Sequence, residues 1–177
     1  TWVDLAGELA AGGMGPGPGA RPLASSAGVG PSAAGAAPAL EYDVPAGWQA
    51  GALEVSRGGI SVRRAAAFDV VEGDQKIEIT VTSLPSSSLL PNINRWRSQI
   101  GLDALTPEQY EQTKKSIEFA GKPADYVQFF GPQEAILGVV ADQGGMAWFA
   151  KLQGAAELAG RERERFETFI RSIRVKP

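Results

Sequence analysis

The sequence predicts an α+β domain built on an antiparallel β-sheet, preceded by a long extended tail. Two observations predict the domain. Several short runs alternate apolar and polar residues between polar turns, which is typical of consecutive antiparallel strands, and other runs carry apolar residues at helical spacing. A third observation predicts the tail, because residues 1–39 hold nine of the chain's 22 glycines and five of its 12 prolines. We therefore divide the chain into a Gly/Pro/Ala-rich extended tail, residues 1–39, and a globular domain, residues 40–177.

The tail has few side chains that could order it. Gly15–Gly19 alternates glycine and proline, which resist helix and strand ladders alike. Trp2, Val3 and Leu5 are its main apolar anchors. A segment this poor in apolar surface cannot fold alone, so we expect these three residues to bind a partner protein or to reach toward a membrane interface. The alternative interpretation is a disordered end that carries a tryptophan.

The first half of the domain is predicted to be rich in strands. The turn Pro45–Trp48 ends in a large aromatic residue, and Ile60–Val70 is predicted as one strand with Val62 and Phe68 in the core. The clearest alternation, in Ile77–Thr82, places two isoleucines and a valine on one face of the strand and an acid and threonines on the other. The predicted strands are Leu40–Val44, Ala52–Val55, Ile60–Val70 and Ile77–Thr82.

A short helix is predicted around Trp96. Ile93, Trp96 and Ile100 fall at i, i+3 and i+7, which places them on one helical face. Asn92 is the predicted N-cap, and Gly101 can end the helix in the left-handed conformation that favours glycine. Residues 84–91 are predicted to form the loop that leads into this helix.

A second helix has a stronger start signal. Thr106 is the predicted cap, Pro107 takes the first helical position, and Gln109 is placed to close a capping box. The helix is predicted to end near Lys114. This pattern places a helix between the first group of strands and the second.

The rest of the chain predicts more strands and a closing helix. The helix covers residues 155–172, and its charged run Arg161–Arg165 is interpreted as a solvated face with i,i+4 ion pairs. Its core-facing stripe is predicted to be Phe166, Phe169, Ile170 and Ile173. The predicted strands are Ser116–Phe119, Ala124–Phe130, Ala135–Val140 and Met146–Leu152, with a hairpin loop at Gly144–Gly145.

Composition disfavours several classes of function. The chain has 17 basic and 20 acidic residues and a net charge of −3, and no basic face suited to nucleic acid is visible. It has no cysteine and no histidine, so thiolate nucleophiles, thiolate zinc sites and histidine bases are absent. We predict no catalytic, cofactor or metal residues, and no membrane-spanning run. Because the sequence opens on Thr1, we expect that an upstream segment such as a signal peptide was removed or that the sequence was cut.

Six segments of the domain carry a family resemblance: Pro45–Trp48, Arg63–Phe68, Ile77–Val81, Asn92–Leu102, Trp148–Gly154 and Phe166–Ile173. Together they resemble a family of uncharacterised, exported bacterial proteins. The resemblance covers roughly Leu40 to Val175 and implies a Mog1/PsbP-like α/β/α architecture, in which helices sandwich the antiparallel sheet. The better-known proteins of this fold, PsbP-type extrinsic subunits of photosystem II and Mog1-type binders of a small GTPase, resemble protein-binding modules. Some relatives carry a lipid-attachment cysteine that this chain lacks.

Three hypotheses for function follow. The first is a non-enzymatic, extracytoplasmic accessory subunit, peripheral to the membrane, that uses its tail to bind a larger membrane-associated complex; a photosynthetic or other bioenergetic complex is one candidate. The second is a small-ligand or lipid carrier with a pocket beside the sheet, near Trp48, Trp96 and Trp148. The third is a histidine-free hydrolase built on carboxylates, which the lack of a matched acid pair disfavours.

Arg95 and Arg97 are the candidate binding residues of the domain. They flank Trp96, and guanidinium groups bind carboxylates and other anions through paired hydrogen bonds. The alternative is that Trp96 fills the core while the two arginines pair with acids on neighbouring strands. The sequence alone does not choose between these arrangements.

Overall fold

The computed structural model describes residues 39–57, 59–85 and 89–176. The predicted anchors Trp2, Val3 and Leu5 lie outside these residues. The strands are β1 (Leu40–Glu41), β2 (Gln49–Ala50), β3 (Glu54–Arg57), β4 (Ile60–Arg63), β5 (Ala66–Glu72), β6 (Gln75–Pro85), β7 (Lys115–Phe119), β8 (Lys122–Phe130), β9 (Glu134–Gln143), β10 (Met146–Ala155) and β11 (Arg174–Val175). The helices are α1 (Leu89–Gln99), α2 (Pro107–Thr113) and α3 (Ala156–Ser172).

Seven strands form one antiparallel sheet in the order β2-β5-β6-β10-β9-β8-β7. The long hairpins β5-β6, β8-β9 and β9-β10 follow the chain, so most neighbours are consecutive in sequence. Two further strand pairs lie apart from this sheet. One joins β1 to β11, and the other is the hairpin β3-β4.

Helices cover both faces of the sheet, which confirms the predicted sandwich. On one face, the apolar stripe of α3 packs against the inward side chains of β6 and β10, such as Ile79 and Trp148. On the other face, Ile93 and Trp96 of α1 and Tyr110 of α2 pack against β9 and β10. The stripe of α3 is as predicted: Phe166, Phe169, Ile170 and Ile173 are all buried.

Helix α1 begins earlier than its sequence pattern predicts. It starts at Leu89, so the prediction that Asn92 caps it is wrong, and Asn92 lies inside the helix. Pro91 had suggested a loop, but a proline is tolerated in the first helical turn, where its missing N–H has no partner to lose. The predicted end is confirmed. Gly101 has a φ of 76°, and Leu102 N–H donates to the carbonyl of Arg97 at 2.9 Å, which together form a Schellman-type C-cap.

The capping box of α2 is confirmed. The Thr106 hydroxyl accepts from Gln109 N–H at 3.3 Å, and the Gln109 side chain accepts from Thr106 N–H at 3.0 Å. Pro107 opens the helix and Lys114 follows its end. All of these groups lie within nine residues of one another, so local sequence is sufficient to specify them.

The prediction of one strand over Ile60–Val70 is wrong. The chain changes partner between Arg64 and Ala65: Arg64 N–H donates to the Leu53 carbonyl at 2.7 Å, and Ala65 N–H donates to the Val81 carbonyl at 2.7 Å. The first part therefore pairs within the β3-β4 hairpin, and the second joins the main sheet. Consequently Val62, predicted to be in the core, is 44% exposed, whereas Phe68 is buried as predicted.

Two other predictions need correction. The strand predicted over Leu40–Val44 extends only over Leu40–Glu41, which pairs with β11. The run Arg161–Arg165 is not wholly solvated, because Glu162 is 6% exposed. Its carboxylate accepts from the Trp48 indole N–H at 2.9 Å and from Arg165 at 2.8 Å. This buried polar bond ties the turn before β2 to the middle of α3.

Candidate functional site

A groove of about 590 Å³ opens on the face of the sheet that carries α1. We call it the α1 groove. Strands β6 and β10 form its floor, α1 forms one wall, and the β3-β4 hairpin forms the other. Its lining residues are Val55, Val62, Arg64, Glu78, Thr80, Thr82, Leu84, Asn92, Arg95, Trp96, Gln99, Phe149, Lys151 and Gln153.

The floor of the α1 groove is set by strand register. The cross-strand pairs run from Glu78–Gln153 through Thr80–Lys151 to Thr82–Phe149. Side chains alternate between the faces of a sheet, so these residues, all polar except Phe149, lie on one face, while their neighbours Ile79 and Val81 enter the core against α3. The polar residues of the strand predicted over Ile77–Thr82 therefore form part of the groove floor.

Charge in the α1 groove is predominantly positive. Its lining carries three cationic side chains, Arg64, Arg95 and Lys151, and one carboxylate, Glu78. Arg64, which directly follows β4, forms an ion pair at 3.2 Å with Glu78 on the floor. Lys151 donates to Gln153 at 2.8 Å and to Gln99 at 3.4 Å. The lining therefore has a formal excess of two positive charges in a protein whose net charge is −3.

The two predicted binding arginines are placed differently. Arg95 is exposed, lines the α1 groove, and donates to the Asn92 side chain at 2.9 Å. Arg97 does not line the groove. Its guanidinium lies 4.8 Å from the centre of the Phe129 ring, and its Nε donates to the carbonyl of Asp103. The geometry therefore does not bring Arg95 and Arg97 into one clamp.

Trp96 fills the core between these arginines. Its ring lies on the backbone of β9 at Gly138, where an added Cβ would stand 2.2 Å from Cζ3 of the indole. The ring also meets Phe149 edge to face, with 6.1 Å between centroids, and Lys151 lies 6.0 Å from its centre. This placement fits the interpretation of Trp96 as a core residue. The predicted pairing of the arginines with acids is not seen among the described residues: Arg95 binds the Asn92 amide, and Arg97 binds the Asp103 carbonyl and the Phe129 ring.

The sequence predicted a pocket near Trp48, Trp96 and Trp148, but of these three only Trp96 lines the α1 groove. Trp48 and Trp148 pack in the core beneath α3, whereas Trp96 belongs to the core beneath α1, on the opposite face of the sheet. Sequence reasoning also missed Lys151 as a lining residue. The groove beside Lys151 depends on the β3-β4 hairpin, which the predicted strand Ile60–Val70 did not separate from β5.

Among the residues that the structure describes, no group of three or more metal-ligating side chains converges. Within the same residues, no helix combines the length and apolar character needed to cross a membrane.

Comparisons with models of known protein families and with curated proteins gave no match. Solved structures did match. LpqN of Mycobacterium tuberculosis, described as involved in cell envelope biogenesis, is 12% identical with a TM-score of 0.44, over 79% of this chain and 84% of LpqN. PsbP (CyanoP) of Synechocystis is 17% identical with a TM-score of 0.44, over 87% of this chain and 99% of that one.

A protein of Bacteroides thetaiotaomicron is 10% identical with a TM-score of 0.40, and the match covers 78% of this chain but less than half, 45%, of that one. A PsbP structure is thus among the matches, as the resemblance in the sequence predicts. Similarity at this level assigns neither a function nor a location to this chain.

Proposed function

We propose that this protein is a non-enzymatic accessory protein that acts outside the cytoplasm and docks a partner protein in the α1 groove. The motif resemblance to exported proteins supports the location. We also propose that Trp2, Val3 and Leu5 of the tail are a second point of attachment to a larger, membrane-associated complex, because a segment this poor in apolar side chains cannot fold alone.

The α1 groove is the observation that carries this proposal. It is long, follows two strands of the sheet, and is bounded by a helix and a hairpin, so an extended segment of another chain would contact both walls. Its polar side chains, among them Thr82 and Gln99, can form hydrogen bonds with the backbone of such a segment. Its one carboxylate, Glu78, is held in an ion pair with Arg64, which leaves it poorly placed to act as a general base.

Site-specific photo-crosslinking in intact cells tests the proposal. The crosslinking amino acid p-benzoylphenylalanine would replace Gln99, which is exposed on the groove wall, and in a control chain would replace Glu164, which is exposed on α3. We expect a discrete adduct with one protein from position 99 and none from position 164, in the extracytoplasmic or membrane-peripheral fraction. Equal adduct patterns from both positions, or a protein confined to the cytoplasm, would contradict the proposal.

A carrier of small amphiphilic ligands is the second candidate, and the volume of the groove favours it. About 590 Å³ is within the range that holds a small molecule. Native mass spectrometry of the protein purified from its own host under mild conditions distinguishes the two. A stoichiometric bound small molecule, displaced when Lys151 is changed to Glu, would favour the carrier over the docking protein.

A further inference from the structure

We propose that the α1 groove recognises an acidic, extended peptide segment, with its carboxylates against Arg95 and Lys151 and its apolar side chains against the β3-β4 hairpin. This inference rests on the proposed docking function and names the chemistry of the docked segment. It depends on three properties of the groove: its charge, its direction and its apolar rim.

The charge favours carboxylates. The groove wall and floor contribute Arg95 and Lys151 in addition to the Arg64–Glu78 pair. These cations stand out in a chain with an excess of acidic residues. Complementary charge guides encounter and rejects partners of the wrong sign. A basic segment would meet like charges along the wall, whereas an acidic one would gain charge-assisted hydrogen bonds.

The direction favours an extended chain. The floor runs along β6 from Glu78 to Leu84, six residue steps or about 20 Å at the rise of a strand. An extended segment of about six residues therefore spans it. Hydrogen-bonding side chains line this length from the floor and from the α1 wall: Thr82, Asn92, Gln99 and Gln153. Such groups can satisfy the exposed peptide groups of a bound backbone.

The rim adds an apolar contact. Val55 and Val62 are cross-strand partners in the hairpin, and both line the groove. Val62 is 44% exposed, and Leu84, at the other end of the floor, is 42% exposed. Alternate side chains of an extended peptide point to opposite sides. A segment that alternates acidic and apolar residues would therefore place carboxylates toward Arg95 and apolar side chains toward the hairpin.

A lipid fits this lining less well than a peptide. Ligands with acyl chains bury most of their surface against apolar walls, whereas most of the side chains on the floor of this groove are polar or charged. The headgroup of an anionic lipid would find the same cations, so a membrane surface is retained as an outcome of the test.

Fluorescence anisotropy tests the inference with the full-length protein and three octapeptides that carry an uncharged dye. The acidic probe alternates glutamate and valine, and its counterparts replace glutamate with glutamine or with lysine. We expect the acidic probe to bind at least about tenfold more tightly than the lysine probe, and to weaken as salt rises, because exposed charges are screened.

Variants connect the binding to the groove. Arg95→Gln should weaken the acidic probe roughly three- to fivefold, and Lys151→Gln should add a similar loss. Arg163→Gln removes an exposed cation from α3, on the opposite face of the sheet, and should leave the affinity unchanged. Far-UV circular dichroism and urea unfolding of each variant establish that it is folded. Equal affinity for all three probes, or an unchanged affinity in the double variant Arg95→Gln/Lys151→Gln, would overturn the inference.

Flotation with phosphatidylcholine vesicles that contain phosphatidylglycerol separates the lipid outcome. Vesicle binding that depends on Arg95 while the acidic peptide fails to bind would replace the peptide with an anionic headgroup. The crosslinking experiment separates this inference from the function on which it rests. Crosslinks from position 99 together with indifference to peptide charge would retain a docking protein and reject the acidic segment.

Discussion

At the residue scale, some contacts join near neighbours in the chain and others join residues that are far apart in it. The capping box of α2 joins Thr106 and Gln109, three positions apart. Glu162 and Trp48 are separated by 114 positions. Within the charged run of α3, no neighbouring residue distinguishes the buried Glu162 from the exposed Glu164. The difference comes from the distant Trp48, whose indole N–H donates to Glu162.

The contact between Gly138 and Trp96 gives a prediction for stability. Gly138→Ala should lower the free energy of unfolding by about 1–3 kcal/mol, as overpacked core substitutions do, because the new Cβ would overlap the indole that lies on β9. Urea unfolding measures this loss. In a Trp96→Leu background the same substitution should cost less, since the overlapping ring atoms are gone and neighbouring residues couple.

Gly160 provides the matched control. It lies in α3, is exposed, and has no atom within 4 Å of an added Cβ. Gly160→Ala should therefore raise the free energy of unfolding by up to about 1 kcal/mol, because alanine favours a helix over glycine. A similar effect of both substitutions would show that the Trp96 contact does not restrict position 138.

Tyr126 gives a prediction for alkaline pH. Tyr126 is buried, with 3% of its surface exposed, and the side chains of Glu167 and Gln128 lie near its hydroxyl. Burial raises the pKa of the Tyr126 phenol above the ordinary value of 10.0, and the nearby Glu167 raises that pKa further. Because the folded pKa is raised, the stability contribution is fully present below pH 10 and is lost as the pH rises above it, when the unfolded chain ionises first.

The free energy of unfolding should therefore fall above pH 10 by up to about 1.4 kcal/mol per pH unit for each such tyrosine. Tyr126→Phe should reduce this slope, because phenylalanine cannot ionise, and should change the stability at pH 7 by no more than about 1.5 kcal/mol, the upper range for the net contribution of a typical hydrogen bond. Chemical unfolding at a series of pH values between 8 and 11.5, roughly the range that brackets tyrosine ionisation, measures both. Parallel curves for the two proteins would contradict the assignment.

At the scale of elements, the sequence predicted whether a stretch forms a strand better than it predicted where that strand begins and ends. The alternation over Ile60–Val70 correctly indicated strand, but the break at Arg64 carries no glycine or proline to announce it. It arises because two distant carbonyls accept from consecutive N–H groups: Leu53, which directly precedes β3, and Val81 of β6. Competition of this kind is settled by tertiary pairing, which a local pattern does not contain. The hairpin that results forms a wall of the α1 groove, so missing the break also meant missing the groove.

The bond between Trp48 and Glu162 gives a prediction for how elements hold together. Trp48→Phe keeps an aromatic ring beside Phe169, whose centroid lies 5.2 Å away, but removes the indole N–H that donates to the buried carboxylate. The expected loss is about 1.5–3 kcal/mol, the range for a hydrogen bond to a charged group.

A double-mutant cycle with Glu162→Ala isolates this bond from packing. Trp48→Phe should cost less in the Glu162→Ala background by about 1–2 kcal/mol, because the acceptor is already absent. Urea unfolding of the four proteins measures the difference. Additive effects of the two substitutions would indicate that ring packing, and not the hydrogen bond, accounts for the role of Trp48.

At the scale of the whole molecule, the sequence predicted the sandwich but not which residues share a face of it. Arg95 was predicted as a binding residue, and Lys151 was not, although both line the α1 groove. They lie 56 positions apart in the chain and line one groove because α1, which carries Arg95, packs on the face of the sheet where Lys151 of β10 lies. A groove assembled from one helix, a hairpin and two strands has no signature in any single stretch of the chain.

The two cores share the same strands, which predicts cooperative unfolding of the domain. Strand β10 gives Trp148 to the core beneath α3 and Phe149 to the core beneath α1, so neither core can be lost while the other keeps its sheet. We expect a single urea transition, as is usual for domains of this size.

Two variants that retain one tryptophan each, Trp96 or Trp148, with phenylalanine at the other three tryptophan positions, report on opposite faces of the sheet. Within each variant, the fluorescence midpoint should coincide with the far-UV circular dichroism midpoint. Loss of the Trp96 signal at a lower urea concentration than the dichroism would show that α1 leaves the sheet before it unfolds. In that case α1 would be a movable wall of the α1 groove. Docking would then be expected to raise the fluorescence midpoint of the Trp96 variant and to leave that of the Trp148 variant unchanged.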